Sequence, residues 1–330
     1  MAKGANQKLK LAYIAKLFYE QTDDLHSVTM QDILDYLSKL DIKAERKSIY
    51  SDIDSLREYG MDIIGEQKNK TYYYHVGNRK FEIAELKLLV DSVQASKFIT
   101  LKKSNELIKK IESMASIHEA DQLQRQVCVS RRIKTMNESI YYNVDKIHEA
   151  ISKNCKVRFK YFQWNLNKEM ELKKEGAYYS ISPWYLTYDD ENYYMLGYDS
   201  EAGIAKHYRV DKMLSIDCVD EKREGEEEFA GFDIAEYSKM VFGMFDGEVQ
   251  NVKIEFDDSL VGVVIDRFGK SVHINKSKDG NFFVNVPVVI SPQFFGWLLA
   301  LGSKARILEP KAVRSRLKDF ISDLAEVYDD

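Results

Sequence analysis

Ala44-Glu45-Arg46-Lys47-Ser48-Ile49-Tyr50-Ser51-Asp52-Ile53-Asp54-Ser55-Leu56-Arg57-Glu58-Tyr59-Gly60 is the stretch on which the reading of this chain turns. Wound as a helix, it brings Ile49, Ile53 and Leu56 within about 60° of one another as a core-facing stripe. At about 100° per residue, Lys47, Ser51 and Asp54 point the opposite way, with Ser48 and Tyr50 on the flanks. The outward face is basic and small-polar over its first two turns and acidic at Asp54. A helix that reads a major groove contacts base edges with its N-terminal residues, so the charges stand in the right order for that task. A solvated surface helix of mixed charge would look the same in isolation.

The neighbours decide between the two. Upstream, Leu11, Ile14, Ala15 and Phe18 recur at helical spacing between Leu9 and Glu20. Thr29 then precedes Met30-Gln31-Asp32, a capping-box start for a short helix whose apolar face is Ile33, Leu34 and Leu37. Gly60 stops the quoted helix. Two strand-like runs follow, Met61–Ile64 and Thr71–Val76, joined by Gly65–Lys70, with Lys68, Asn69 and Lys70 at the tip and Tyr72 behind. Three helices and then a hairpin is the order of a winged helix-turn-helix. The residues expected to meet DNA are Arg46, Lys47, Ser48, Tyr50, Ser51 and Arg57 on the helix, with Lys68 and Lys70 on the wing. Residues 1–80 hold 13 Lys/Arg against 12 Asp/Glu, a net of only +1. The DNA reading therefore rests on where the charges sit and not on their sum.

From Glu82 to Val127 the pattern is helical throughout and free of Gly and Pro, which suggests a helical connector. A further helix, Val144–Lys153, leads into short strands at Val157–Phe162, Tyr178–Tyr188, Tyr193–Tyr198, His207–Val210 and Ile216–Val219. One helix capping such a run suggests a small barrel. Asp220–Gly231, acidic and Gly-containing, reads as a loop or boundary. The remainder alternates strand (Val252–Phe256), helix (Leu260–Phe268), strand (Val272–Asn275), a turn at Lys278–Asn281, strand (Phe282–Val288), helix (Pro292–Leu301), strand (Ala305–Leu308) and helix (Ala312–Val327). That is the ferredoxin-like order with a terminal helix added.

Composition narrows the class. The 330 residues are 45% hydrophobic and 31% charged with a net charge of −5, the balance of a soluble folded chain of two or three domains. The apolar runs around Val284–Ile290 and Phe294–Leu301 fall far short of the ~20 residues of a membrane span. The first eight residues lack the apolar core of a signal peptide. Cys128, Cys155 and Cys218 are odd in number and widely spaced, which speaks for a reducing cytoplasm and against a disulfide framework or structural zinc. Catalytic motifs are missing. His118-Glu119 and His148-Glu149 begin like H-E-x-x-H, but Gln122 and Ser152 stand where the second zinc ligand belongs. The six histidines form no cluster, and no metal or organic cofactor is expected.

The stretch Arg46–Gly60 resembles the recognition helix of bacterial WYL-domain transcription regulators. Three central segments resemble the core of a WYL domain: Ile181–Tyr188, Asn192–Tyr198 and Lys206–Met213, the last carrying the closing R-x-D-R/K-I/M pattern. The tripeptide that names the family falls at Tyr193-Tyr194-Met195, not at Trp184-Tyr185-Leu186, which happens to spell it. Glu45 stands where many relatives carry an N-cap Ser, and Glu is a poorer cap. The resemblance extends over nearly the whole chain and implies an α+β architecture in four parts. These are a winged helix-turn-helix (1–80), a helical connector (81–143), a small Sm-like β-barrel, the WYL domain (144–230), and a C-terminal ferredoxin-like extension (231–330).

It further implies a regulator gated by a nucleotide or oligonucleotide ligand. A homodimeric repressor on a double-stranded DNA operator is expected with it, since two half-sites double the contact area of one winged helix, and the cysteines place it in the cytoplasm. The ligand residues expected are Ser182, Trp184, Tyr194, Lys206, His207 and Arg209. Strand alternation puts His207 and Arg209 on one face and Tyr208 on the other. Two readings stay open here. The aromatics are either stacking faces or barrel core, and Arg209 either anchors a phosphate or pairs with Asp211 or Asp217. The basic run Arg306, Lys311, Arg314, Arg316 and Lys318 reads as a solvated helix face or as a surface closing on ligand or partner. The rival reading of the whole chain is a sensor module acting on RNA or a partner protein without specific duplex binding, which the near-neutral N-terminal segment favours.

Overall fold

The computed structural model describes residues 7–123, 134–135, 137–244, 247–277 and 280–328. The expected turn at Lys278 and Asp279, the helical stretch beyond Leu123 and Cys128 lie outside them. The chain divides into two compact units, residues 1–136 and 137–330.

The first unit opens with α1 (Lys10–Gln21), the short strand β1 (Val28–Thr29), α2 (Met30–Lys39) and α3 (Arg46–Glu58). Thr29 caps α2 as its sequence requires: its hydroxyl accepts from the Asp32 amide and the Asp32 carboxylate accepts from the Thr29 amide. At α3 the N-cap is Glu45, and it makes no side-chain cap bond. Ile14, Leu17 and Phe18 from α1, Ile33 and Leu37 from α2, and Ile49, Ile53 and Leu56 from α3 form one core. Strands β2 (Ile63–Lys68) and β3 (Thr71–Val76) then pair, with β1 on the far edge of β3. The segment Gly65–Lys68, expected as linker, is strand. The turn is only Asn69 and Lys70, both at positive φ (48° and 65°), the two-residue geometry that matches the twist of a hairpin.

The expected continuous connector is three helices, α4 (Ile83–Ala95), α5 (Leu101–Glu112) and α6 (Ile117–Leu123). Thr100 caps α5 through the Lys103 amide, a break signal that the uninterrupted apolar periodicity hid.

The second unit begins with α7 (Ile140–Lys153), which Asn154 ends in the left-handed conformation. There follow β4 (Cys155–Trp164), β5 (Met170–Leu172), β6 (Tyr179–Asp189), β7 (Asn192–Asp199), β8 (Ile204–Arg209) and β9 (Met213–Lys222). All pairs are antiparallel, in the order β5-β4-β6-β7-β8 with β9 also on β4. This sheet curls into a half-barrel. Its inner face carries Phe159, Tyr161, Tyr179 and Tyr208, with ring centroids 5.4–6.2 Å apart.

A helix absent from the expected order, α8 (Ile234–Met240), leads into β10 (Val249–Asp257), α9 (Val261–Phe268), β11 (Asn275–Lys276), β12 (Asn281–Val289), α10 (Pro292–Ala300), β13 (Ala305–Glu309) and α11 (Lys311–Glu326). The antiparallel sheet runs β11-β12-β10-β13. Its even-numbered residues Val252, Ile254, Phe256, Phe282, Val284, Val286 and Val288 point to one face, where α9, α10 and α11 cover them. No helix among the described residues is long and apolar enough to cross a membrane.

Candidate nucleic-acid and ligand surfaces

On α3, Arg46, Lys47, Ser48, Tyr50 and Ser51 are all exposed, while Ile49 and Ile53 are buried. The apolar stripe, by filling the core, forces the polar residues outward. Not all of them are free. Lys10 donates to the Ser48 hydroxyl and lies 2.7 Å from the Asp52 carboxylate, tying α1 to the outer side of α3. Arg57, at the other end of the helix, is a strut: its Nε donates to the Ile63 carbonyl at 2.9 Å and Nη1 lies 3.1 Å from Asp54. At the hairpin, Lys68 and Lys70 are exposed, and Lys68 lies 2.9 Å from Glu66 on its own strand.

In the second unit, register settles which candidates meet. Tyr194 pairs with Arg209 and Leu196 with His207 across β7 and β8, so these four share one face. Tyr198, two residues on from Leu196, pairs with Ser182 and brings it to that face. Lys206 stands on the opposite face, 2.7 Å from Asp199, which also accepts from the Tyr208 hydroxyl. Burial alone would raise the Asp199 pKa, but the Lys206 ammonium and backbone donors outweigh it and hold the carboxyl below its usual value.

The shared face is roofed by the chain itself. The Ser182 hydroxyl accepts from the Glu224 amide, and the Trp184 indole donates to the Glu224 carbonyl at 2.9 Å. Trp184, at the β6 bulge, stacks on Phe229 at 5.2 Å and under Arg223 at 4.2 Å. Tyr185 donates to the Phe232 carbonyl, and the His207 ring stacks on Tyr237 at 5.7 Å and 13°. Tyr194 is buried with Val241, Met244 and Val289. Residues 223–244 thus occupy the place expected for a ligand. Phe229, Phe232 and Tyr237, three rings in an otherwise acidic stretch, were the signal for this.

Arg209, across from Tyr194 on the same face, has its own set of partners and stays partly exposed. Its Nε and Nη2 each donate to Asp211 at 3.0 Å, Nη2 also donates to Asn192 Oδ1 at 2.8 Å, and its backbone amide donates to the Tyr161 hydroxyl. Burial first, then the nearby Asp211 charge, pushes the Tyr161 pKa up to about 12, so this hydroxyl stays neutral. Among the described residues no group of three or more His, Cys, Asp or Glu is placed to hold a metal.

Comparison with known proteins agrees with this layout at the level of domains. The chain carries a WYL domain and a WCX domain. The first is matched over residues 142–218, the half-barrel with α7, and the second over residues 248–325, the four-stranded sheet and its helices. The roof therefore lies in the stretch between the two. Among solved structures the chain is similar to proteasome accessory factor B/C (PafBC) of Arthrobacter aurescens, at 16% identity and a TM-score of 0.28. That match covers 97% of this chain but 49% of the other, so this chain spans about half its length. A second similar structure is a CRISPR Cas-related protein, at 14% identity and a TM-score of 0.35, covering 74% of this chain and 70% of that one. No curated protein matches.

Proposed function

We propose that the chain is a ligand-responsive transcription regulator in which the first unit is a winged helix-turn-helix. It lays α3 in the major groove of a double-stranded DNA operator and sets the β2–β3 hairpin on an adjacent phosphate. The observation that carries this reading is the exposed run Arg46, Lys47, Ser48, Tyr50 and Ser51 on the N-terminal half of a helix whose other face is fully buried. The WYL domain supplies the sensor, and the WCX domain, with its β-α-β-β-α-β order, is a ferredoxin-like extension. In this reading the protein is a cytoplasmic homodimeric repressor, two half-sites giving it the contact area that one winged helix lacks. No catalytic step is assigned to it.

The ligand reading follows from Arg209. A nucleotide or oligonucleotide phosphate offers the guanidinium the same two-oxygen geometry that Asp211 now presents. Binding is then an exchange: phosphate takes Arg209 from Asp211, and a ligand that extends on to Trp184 or His207 displaces the 223–244 roof. A ligand shifts the DNA-binding equilibrium only through its different affinity for the two states, and roof closed against roof open is such a pair. The experiment is a gel shift with the promoter region of the protein's own gene, with and without short oligonucleotides. Absence of any retarded duplex would overturn the reading.

A further inference from the structure

We propose that Cys155 and Cys218 form a redox-responsive dithiol in the WYL domain that closes to a disulfide on exposure to peroxide. The two residues lie on neighbouring antiparallel strands, Cys155 at the start of β4 and Cys218 within β9. Val157 pairs with Cys218, and strand alternation puts Cys155 on the same face as Val157, so both thiols stand on one side of the sheet. The register between β4 and β9 is irregular between Cys155 and Val157, where Lys222 comes opposite Cys155. The two side chains interact directly. Both are half-buried and both are free thiols. This inference stands apart from the DNA and ligand readings.

Their surroundings divide the roles. Arg223 interacts electrostatically with Cys155, and Lys153 with both thiols. Cys218 is turned inward, its Sγ 3.6 Å from the Lys146 carbonyl, and burial first, then the Cys155 neighbour, pushes its pKa up to about 11. With Cys218 held inward against α7, the proposal makes Cys155 the sulfur that attacks. Its thiolate takes one peroxide oxygen, the O–O bond breaks, and hydroxide leaves to be protonated to water, giving a sulfenic acid. Cys218 then attacks that sulfur, gives up its thiol proton, and the sulfenic hydroxyl departs as a second water. Two thiols and one peroxide become one disulfide and two waters. The bridge would pin β9 to β4 beside α7.

The test uses the full chain carrying Cys128→Ser, treated with hydrogen peroxide and then a thiol-alkylating reagent. The expected result is loss of both alkylatable thiols, a mass lower by two hydrogens, and a linked peptide pair containing residues 155 and 218, all reversed by dithiothreitol. Adding Cys155→Ser should leave Cys218 alkylatable after the same treatment. Should Cys128→Ser fail to fold, peptide mapping of the oxidised wild-type chain reads the same link. Thiols that stay alkylatable, a mass that gains oxygen instead of losing hydrogen, or a link through Cys128 in the wild-type chain would each overturn the proposal.

Discussion

The Arg209 guanidinium is clasped from the side by Asp211, two residues along the same chain, through paired bonds of 3.0 Å. The Asp211 side chain is only 11% exposed and that of Arg209 39%. Removing the arginine leaves a nearly buried carboxylate without its cation. Arg209→Ala should therefore cost about 1–2 kcal/mol of stability, less than a fully buried pair because water reaches the guanidinium flank. Arg209→Lys should recover only part, since an ammonium cannot make the parallel pair. Denaturant melts check this, and wild-type stability in Arg209→Ala would show that the pair adds nothing.

Asp211→Asn tests the exchange step. It keeps the shape but removes the charge that competes with phosphate for Arg209, so operator release should occur at lower oligonucleotide concentration. A gel shift titrated with oligonucleotide reads the midpoint. An unchanged midpoint means the ligand does not engage Arg209.

Lys47→Ala and Ser51→Ala should each weaken specific operator binding by about 1–3 kcal/mol, because both stand exposed where base edges would lie. Lys70→Ala should weaken all duplexes alike and flatten the salt dependence, as the loss of a phosphate contact does. Lys68→Ala should do the same more weakly, since Glu66 already neutralises part of its charge. Binding isotherms at several salt concentrations separate the two classes. Equal losses on operator and random duplex for Lys47→Ala would remove α3 from the groove.

These contrasts show which features can be read from sequence. The Ile49/Ile53/Leu56 stripe and the Thr29 cap depend on residues within one or two turns, and both are legible in the string. The face shared by Tyr194, Leu196, His207 and Arg209 is also legible in part, because strand alternation fixes His207 against Tyr208. What covers that face is not. Phe229, Phe232 and Tyr237 come from a separate segment well downstream of β8, and no local period links them to β7 or β8. The choice of Asp211 over Asp217 for Arg209 is likewise set by the short turn after β8, which no spacing rule gives. The Cys155–Cys218 neighbourhood depends on the pairing of β4 with β9, invisible to motif counting.

Asp23 sets an acid limit on the first unit. It is 4% exposed and accepts from the Ser116 hydroxyl, the Leu25 and His26 amides and the His26 ring. Burial raises its pKa, yet these donors together outweigh that and leave it below the usual 3.8. A depressed carboxyl contributes stability that is fully present above its unfolded pKa and is lost as pH falls through the folded one. Melts of the chain should therefore fall off below about pH 4. In Asp23→Asn the acid-sensitive part should shrink and the neutral-pH stability should drop. An unchanged acid limb in that variant would place the titrating group elsewhere.

Arg57 separates a strut from a DNA contact. It is exposed at the C-terminal end of α3, where a groove-reading helix makes few base contacts, and its Nε–H spans to the Ile63 carbonyl at the root of the hairpin. Arg57→Ala removes that charge-assisted bond and the partner of Asp54, so stability should fall by about 1 kcal/mol. Because β2 starts at Ile63, the hairpin should also lose its fixed angle to α3, and affinity should fall modestly for every duplex. Arg57→Lys should restore little, since a lysine ammonium lacks the fork that meets a carbonyl and a carboxylate together. The decisive comparison is the operator-to-random affinity ratio beside a denaturant melt. A strut leaves the ratio unchanged while both affinities and stability fall. A ratio that collapses at wild-type stability would make Arg57 a base-reading residue.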